Sequence, residues 1–316
     1  MRPACIDMVF ELAKRDPRVV YIGSDLSPDL TERMKAEMPG RAFMEGVSEA
    51  QVVGMAAGLA MDGYIPFVHT IATFITRRCF EQVAVDLCLH KLPVRLIGNG
   101  GGLVYAPLGP THLAIEDMAL MRALPNMTVV AVCDADEMRR FMVQTLDWPQ
   151  PIYIRLAKGF DPIVSKAENG FEIGKAIVMK DAATVPGNVL LISTGVMTTR
   201  ALAAAETLAG EGIPTTVLHM HTVKPLDEEA VRRCAQKSRL VVTLEEHTVI
   251  GGLGSAVVDT LVENATSPLP VIKRLGIPDK FPHNYGNQDD LLEKFGLQPA
   301  HIVDTVRRAA SKQAAA

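Results

Sequence analysis

Short apolar runs rich in β-branched residues alternate along this chain with longer stretches of helical periodicity. Four such runs in the first half predict β-strands, at residues 19–22, 94–97, 128–132 and 152–154. The helical stretches between them cover residues 49–61, 80–90 and 115–124. Strands that alternate with helices predict a mostly parallel sheet with helices on both faces, and ligand sites in such sheets lie at the carboxyl ends of the strands.

The alternation stops between residues 158 and 187, where glycine and proline are frequent, and then resumes. Three more strands are predicted at residues 189–192, 215–218 and 240–243, with helices at 199–210, 227–236 and 253–263. The interruption is interpreted as a linker, or as a crossover that carries a hairpin. We therefore predict an α/β protein of two domains, residues 1–165 and 188–316, each a mostly parallel sheet flanked by helices, with a linker at 166–187.

The length of 316 residues supports this division, since it leaves about 150 residues for each domain. The net charge of −4 gives no electrostatic argument for binding nucleic acid or an anionic membrane surface. The sequence has neither an apolar run of 18 residues nor an apolar leader, so it predicts no membrane span and no secretion.

The cysteines are scattered, and no two have the C-x-x-C spacing of a zinc or dithiol site. The five residues are Cys5, Cys79, Cys88, Cys133 and Cys234. We expect no metal site in this chain, and reduced thiols in a cytoplasmic protein.

The first specific motif is FMEGVSEAQ at residues 43–51, followed by a run of small residues at 54–60. It resembles the pyrimidine-domain signature of transketolase and deoxyxylulose-phosphate synthase. In that family the glutamate that matches Glu49 contacts a ring nitrogen of the aminopyrimidine of thiamine diphosphate. A carboxyl in an apolar setting can share a proton with that nitrogen, because desolvation raises its pKa, and the imino tautomer needed for catalysis then forms. The alternative is a first-turn glutamate favoured by the helix dipole.

A second match is ATFITRRCFEQV at residues 72–83, which looks like a strand-to-helix element of the same family. Phe74 and Phe80 match aromatic positions that pack around the aminopyrimidine, and an aromatic face gives that ring a dry, oriented seat. Arg77 matches a position where the synthase carries arginine, so the resemblance implies a planar guanidinium over the ring. Ordinary core packing is the alternative for the two phenylalanines.

A third match is GPTH at residues 109–112, followed by Glu116-Asp117 and by LPN at 124–126. The family's histidine in this block reaches the thiazolium side of the cofactor and the substrate hydroxyls. The resemblance implies that His112 stabilises an alkoxide or moves its proton near neutral pH. An exposed loop histidine without function is the alternative.

The second half also resembles the family, in HMHTVKPLD at residues 219–227 and EEHTVIGGLGS at 245–255. These runs match the transketolase C-terminal domain, which supports assembly more than chemistry. His221 and His247 are therefore interpreted as structural. The resemblance covers nearly the whole chain, in the family's own motif order.

The sequence contains no Gly-Asp-Gly…Asn element, which in the family holds magnesium and the cofactor's diphosphate. This implies an N-terminal diphosphate-binding partner subunit that supplies Mg²⁺ or another divalent ion, with two copies of each chain in an α2β2 assembly. Because half of the composite site is then on another chain, we expect weak or no cofactor binding by this chain alone.

The substrate end departs from the usual pattern. The residue near the usual sugar-phosphate histidine is Asn99 or its neighbour, and Asp29 replaces a serine and would repel a phosphate dianion. Arg155 matches a family phosphate contact, and Arg2 lies at the family spacing before Asp25. We therefore expect an anionic substrate that is not the standard pentose-phosphate pair.

These motifs predict a subunit of a thiamine-diphosphate-dependent transketolase, which transfers a two-carbon ketol unit from a phosphorylated or otherwise anionic ketose to an aldose. One alternative is the β subunit of the first component of a 2-oxoacid dehydrogenase, which shares both domains. Another is a non-catalytic scaffold, against which the presence of Glu49 argues.

Overall fold

The computed structural model describes residues 1–157, 159, 161–185, 187–263, 269–283 and 285–314. These residues form one sheet of seven strands and one of five. In chain order, the strands are β1 (Val19–Gly23), β2 (Ala42–Met44), β3 (Ile65–Ile71), β4 (Arg95–Asn99), β5 (Thr128–Val130), β6 (Ile152–Leu156), β7 (Ile177–Lys180), β8 (Asn188–Ser193), β9 (Thr215–His219), β10 (Thr222–Lys224), β11 (Ser238–Thr248) and β12 (Val271–Ile277).

Helices cover the faces of both sheets. They are α1 (Arg2–Arg15), α2 (Pro28–Glu37), α3 (Glu49–Met61), α4 (Ala72–Arg77), α5 (Phe80–Gln82), α6 (Asp117–Ala123), α7 (Ala135–Gln144), α8 (Met197–Gly210), α9 (Glu228–Ala235), α10 (Leu253–Glu263), α11 (Gln288–Lys294) and α12 (Pro299–Ala314). Helix α5 continues directly as a π-helix over Val83–Leu89. The α/β class predicted from the alternation is confirmed.

The first sheet has the strand order β10-β5-β6-β4-β3-β1-β2. Strands β1 to β6 run parallel to one another, and only β10 is antiparallel within the part of the sheet that the structure describes. Helices α1, α2 and α7 pack on one face, and α3, α4 and α6 pack on the other. Strands β1, β4 and β6 are buried along their whole length, as expected for strands covered on both faces. The carboxyl ends of β1, β3 and β4 therefore meet at one edge, next to the start of α3.

The second sheet has the order β12-β11-β8-β9-β7, in which β7 alone is antiparallel to its described neighbour. Helices α8 and α12 pack on one face of it, and α9 and α10 pack on the other. Strand β7 lies inside the segment 166–187 that the sequence predicts to be a linker. Part of that segment is thus an edge strand of the second sheet, although the exact domain bounds stay a prediction.

The two halves of the chain are joined by backbone pairing as well as by side chains. Strand β10 comes from the second half and pairs with β5 of the first sheet. The Lys224 ammonium at the end of β10 donates a hydrogen bond of 2.8 Å to the carbonyl oxygen of Arg122. All five cysteines are buried and free. Every helix in the described part of the chain is too short or too polar to cross a bilayer.

Candidate cofactor and substrate site

Glu49 opens α3 at the carboxyl edge of the first sheet, and its side chain is only 4% exposed. One carboxylate oxygen, Oε2, accepts a hydrogen bond of 3.3 Å from the guanidinium of Arg78. The other, Oε1, is buried and has no hydrogen-bond partner among the described residues. Leaving a buried carboxylate oxygen without a hydrogen bond costs free energy of folding. This atom is therefore suited to a ligand that supplies the missing hydrogen-bonding group.

Arg78 joins Glu49 to the aromatic ring of Phe74. Its guanidinium carbon lies 3.7 Å from the centre of that ring, which is a cation–π contact. The sequence predicts Arg77 for this place. The structure instead turns Arg77 toward the next loop, where it forms an ion pair with Glu116 and donates a 3.2 Å hydrogen bond to the Leu113 carbonyl oxygen. This placement of Arg77 does not support its predicted contact with the cofactor ring, and that contact stays a prediction.

Sequence reasoning missed Arg78 because two arginines are adjacent in the motif. Consecutive residues of a helix point about 100° apart, so a shift of one position selects a different neighbour. The salt bridge to Glu49 is the feature that distinguishes the two, and it requires α3 and α4 to be placed together in space.

His112 meets Phe74 from the opposite loop. The two ring centres are 5.2 Å apart and the rings are edge-to-face, at 65°. The hydroxyl of Thr73 donates a 2.9 Å hydrogen bond to the backbone carbonyl of His112, which ties the loop to α4. The structure therefore brings together Glu49, Phe74 and His112, three of the residues predicted from separate motifs.

Phe80 lies at the start of α5 and is half-buried against the core under α3 and α4. Its position is compatible with contact to the cofactor ring and also with ordinary core packing. Its contact with the cofactor stays a prediction.

Arg155 is buried between the two halves of the chain. Its guanidinium donates hydrogen bonds of 2.7 and 3.1 Å to the carboxylate of Asp117 and one of 2.9 Å to the backbone oxygen of Glu246. Burial is the largest effect and opposes the ionisation of Asp117, but the charge and hydrogen bonds of Arg155, with smaller contributions from His247 and Tyr153, together hold the pKa of Asp117 below its usual range. The predicted contact of Arg155 with a substrate anion stays a prediction, and this interior pairing does not support it.

The other predicted substrate residues lie near the amino-terminal end of α1. Arg2 and Asp29 line one open cavity of about 390 Å³ between α1 and α2. Asn99 ends β4, is buried, and donates a hydrogen bond from Nδ2 to the phenol oxygen of Tyr105. No sequence motif singles out Tyr105.

The two histidines interpreted as structural are buried where the two halves of the chain meet. Burial lowers the pKa of His221 to about 3 and that of His247 to about 4, so both rings are neutral near pH 7. The ring of Phe171 stacks on His221 at 4.0 Å. Neither ring is exposed to a ligand in this arrangement.

The only three-residue group with metal-ligand spacing in the described residues is Cys133, Glu137 and His219. All three are buried, and the Glu137 carboxylate already accepts hydrogen bonds from His219 Nε2 at 2.9 Å and from the Cys133 backbone N–H at 2.6 Å. A thiol and an imidazole do not suit Mg²⁺, which prefers oxygen ligands. This group is therefore not a binding site for Mg²⁺ and the cofactor's diphosphate.

The residues around Glu49 do fit the pyrimidine end of thiamine diphosphate. The free Oε1 atom of Glu49 suits a ring nitrogen, and Phe74 offers a flat apolar surface beside it. A parallel sheet with these groups at its carboxyl edge is typical of an α/β enzyme subunit that holds a planar heterocyclic cofactor.

Comparisons with known proteins agree with this class. The family model of the transketolase pyrimidine-binding domain matches residues 1–160, and that of the transketolase C-terminal domain matches residues 182–302. The 6-deoxy-6-sulfo-D-fructose transketolase subunit SqwH of Clostridium sp. (strain MSTE9) is 41% identical over 96% of this chain and 92% of the relative. One of the subunits of the apulose-4-phosphate transketolase of Phocaeicola vulgatus is 35% identical over 96% of this chain and 95% of the relative.

One solved structure, a split-gene transketolase in an inactive β4 tetramer, superimposes with a TM-score of 0.86. It is 37% identical in sequence, and the match covers 98% of this chain and 97% of that chain.

The chain belongs to the transketolase family. It is a subunit of a split, transketolase-type transferase, in a family that depends on thiamine diphosphate. The family and reaction class predicted from the motifs are therefore confirmed. The alternative of a 2-oxoacid dehydrogenase subunit is not favoured, because these relatives are transketolases.

Proposed function

We propose that this chain provides the pyrimidine half of a thiamine-diphosphate site and acts on a ketose with an anionic terminal group. In this proposal an N-terminal diphosphate-binding subunit holds the diphosphate and its Mg²⁺, and the two chains form an α2β2 assembly. The observation that carries the proposal is the buried, unpartnered Oε1 of Glu49 beside Phe74 and His112.

The first role assigned to this chain is to orient the cofactor ring. Glu49 would hydrogen-bond the pyrimidine nitrogen through Oε1, sharing the proton on which the imino tautomer depends. Phe74 and Phe80 would hold the ring between apolar surfaces and exclude water. Arg78 would balance the charge of Glu49 from the opposite side, at Oε2.

The second role is to move a proton at the substrate. Thiamine diphosphate, when bound, supplies the carbon nucleophile of the reaction. In the overall transfer, the bond between carbons 2 and 3 of the ketose breaks, and the hydroxyl on carbon 3 loses its proton as a shorter aldose forms. The acceptor aldose gains a carbon–carbon bond at its carbonyl carbon, and its oxygen takes up a proton. His112, edge-on to Phe74, is the residue we assign to hold that proton.

The substrate class rests on two observations. The two relatives act on 6-deoxy-6-sulfo-D-fructose and apulose 4-phosphate, which both carry an anionic group at one end. In this chain, Arg2 and Asp29 line the same cavity, and Asn99 is linked to Arg2 through the phenol of Tyr105. We assign these three residues to the anionic end of the sugar, and we assign Arg155 to the interface between the two halves of the chain.

The test is calorimetric titration of thiamine diphosphate with Mg²⁺ into this chain alone, the partner alone and their mixture. We expect tight binding only in the mixture. Glu49→Gln should lower ketol-transfer turnover by about 10²–10⁴-fold, the usual contribution of a proton-transferring group. Glu81→Gln is the matched control, because Glu81 is exposed on the neighbouring helix. Tight binding by this chain alone, or full turnover by Glu49→Gln, would refute the proposal.

A further inference from the structure

Two buried polar atoms without partners lie on one face of the first sheet, on neighbouring strands. They are Nε2 of His69 on β3 and Oδ1 of Asn99 on β4. The register pairs His69 with Ile97, so Asn99 lies on the same face of the sheet, two residues nearer its carboxyl edge. Both side chains are at most 1% exposed. Two such atoms on the same face of neighbouring strands indicate a place that can receive hydrogen-bonding groups.

His69 is held as a neutral ring. Its Nδ1 lies 3.1 Å from the phenol oxygen of Tyr21, and this hydrogen bond fixes the orientation of the ring. Burial, and then the nearby charge of Arg2, lower the pKa of His69 to about 3. A neutral imidazole recognises a hydroxyl group and carries no charge with which to bind an anion.

Tyr105 links Asn99 to Arg2. Its phenol accepts a hydrogen bond from Asn99 and forms another with Arg2, while burial raises its pKa. The ring packs on Gly100, where a Cβ atom would overlap Cε2 of Tyr105. Gly100 has a φ of +77°, in the left-handed region that favours glycine. This conformation and the absence of a side chain together allow the Tyr105 ring to pack there.

The formal charges that line the cavity beside Arg2 cancel. It is lined by Arg2, Arg33, Asp7 and Asp29, and Arg33 is paired with Asp7 at 3.3 Å. In the residues that the structure describes, Arg2 forms no ion pair, so its charge is available opposite Asp29. Because one cation faces one carboxylate, the potential there is weak and the attraction gained from a second negative charge is small, whereas the cost of removing an anion from water rises steeply with its charge. The pair therefore suits a singly charged group.

We propose that this cluster is the tail subsite of the sugar, in which His69 and Asn99 hydrogen-bond its hydroxyls and Arg2 pairs with a terminal monoanion, such as a sulfonate, in preference to a phosphate dianion. This inference rests on the proposed function and names its substrate class. Asp29 supplies the discrimination, because it cancels part of the Arg2 attraction that would otherwise offset the larger desolvation cost of the dianion. Tyr105 positions Arg2 and Asn99.

The test compares two donors that differ only at carbon 6, 6-deoxy-6-sulfofructose and fructose 6-phosphate, with the enzyme assembled from both subunits. We expect kcat/KM to favour the sulfonate by at least about tenfold. Asp29→Ser should improve the phosphate donor and remove most of that preference. Arg2→Met should raise KM for both donors, and His69→Phe should do the same with little change in kcat. Arg15→Met is the control, because Arg15 is exposed at the opposite end of α1 and does not line this cavity, and it should leave the preference intact.

A reference reaction separates this inference from the proposed function. Hydroxypyruvate and glycolaldehyde have no anionic tail to place in the subsite, so their turnover reports on the cofactor site alone. Turnover of this pair, together with equal use of the two tailed donors or no effect of Asp29→Ser, would overturn the inference and leave the proposed function standing. If the pair is not turned over, the proposed function fails, and direct calorimetric titration of the two sugars into wild type and Arg2→Met still decides the inference.

Discussion

Asp117 shows how much one buried carboxylate can matter in this chain. It accepts hydrogen bonds from Arg155 at 2.7 and 3.1 Å and from the Tyr153 phenol at 2.7 Å, and it is fully buried. A buried ion pair contributes little compared with well-packed apolar residues, but removing one partner leaves an unpaired charge in the interior. The intact pair therefore contributes little to the stability of the fold, whereas the loss of one partner destabilises it strongly.

Asp117→Asn should lower the free energy of unfolding by about 3–5 kcal/mol, because Arg155 would keep its charge without a counter-ion. Urea denaturation followed by circular dichroism measures this change. Asp136→Asn is the control, since Asp136 pairs with Arg140 near the surface, and it should cost no more than about 1 kcal/mol. Equal losses for the two variants would contradict the argument.

The residues of the site differ in how far the sequence alone could predict them. The grouping of Glu49, Phe74 and His112 was predictable because each lies in a motif of the family, while their roles toward cofactor and substrate stay predictions. Arg78 was not, because its role depends on which of two adjacent arginines faces α3. His69 and Tyr105 were not predictable either, since no motif contains them and their contacts join separate strands and loops.

Among the elements, the start of α10 shows how closely a helix can pack on a neighbouring strand. The Glu245 carboxylate on β11 accepts hydrogen bonds of 2.7 and 2.8 Å from the backbone N–H groups of Leu253 and Gly254. These bonds satisfy free donors of the first turn and place a carboxylate at the positive end of the helix. A Cβ atom on Gly252 would overlap the Glu245 carboxylate.

Gly252→Ala should destabilise the protein by about 1–3 kcal/mol, because the added methyl group displaces a buried carboxylate from its hydrogen bonds. Differential scanning calorimetry would show this as a lower Tm. Gly210→Ala at the end of α8 is the matched control, since a Cβ atom there meets nothing within 4 Å, and it should be neutral or slightly stabilising. Tolerance of Gly252→Ala would mean that Glu245 does not hold this helix.

Elements with regular patterns were predicted well, and those defined by their partners were not. The predicted strands and helices of the second half correspond to β8, β9, β11, α8, α9 and α10. Strand β3 was missed because Pro66 and His69 interrupt its apolar run. Strand β10 was missed because it has only three residues and its partner, β5, lies about 90 residues earlier in the sequence.

For the whole molecule, buried histidines dominate the expected response to acid. Burial lowers the pKa of His69, His221 and His247 to about 3, 3 and 4, so the unfolded chain takes up these protons first as the pH falls below about 6.5. Burial raises the pKa of Glu245 to about 7, and this group has the opposite effect, since the folded chain binds its proton first. Burial also raises the pKa of Glu246, which adds to this opposite effect. Three protons therefore favour unfolding on acidification, and up to two favour folding.

The free energy of unfolding should therefore fall by about 1–3 kcal/mol per pH unit between pH 6 and pH 5, which corresponds to a net uptake of about one to two protons. Urea denaturation at pH 7.5, 6.5, 5.5 and 5.0 measures this slope. His90→Asn is the control, since His90 is exposed, and it should leave the slope unchanged. A stability that is flat or rises on acidification would show that these rings are not held neutral in the folded protein.

The pairing of β10 with β5 has a consequence for how the protein is made. On the ribosome, β5 is synthesised well before residues 222–224, and the intervening stretch of about 90 residues takes on the order of 5–20 s to translate. Throughout that interval the nascent first domain has an unprotected strand edge, a surface prone to wrong association with other chains. We therefore expect a dependence on chaperones during synthesis, and poor recovery of a gene fragment that ends before Thr222.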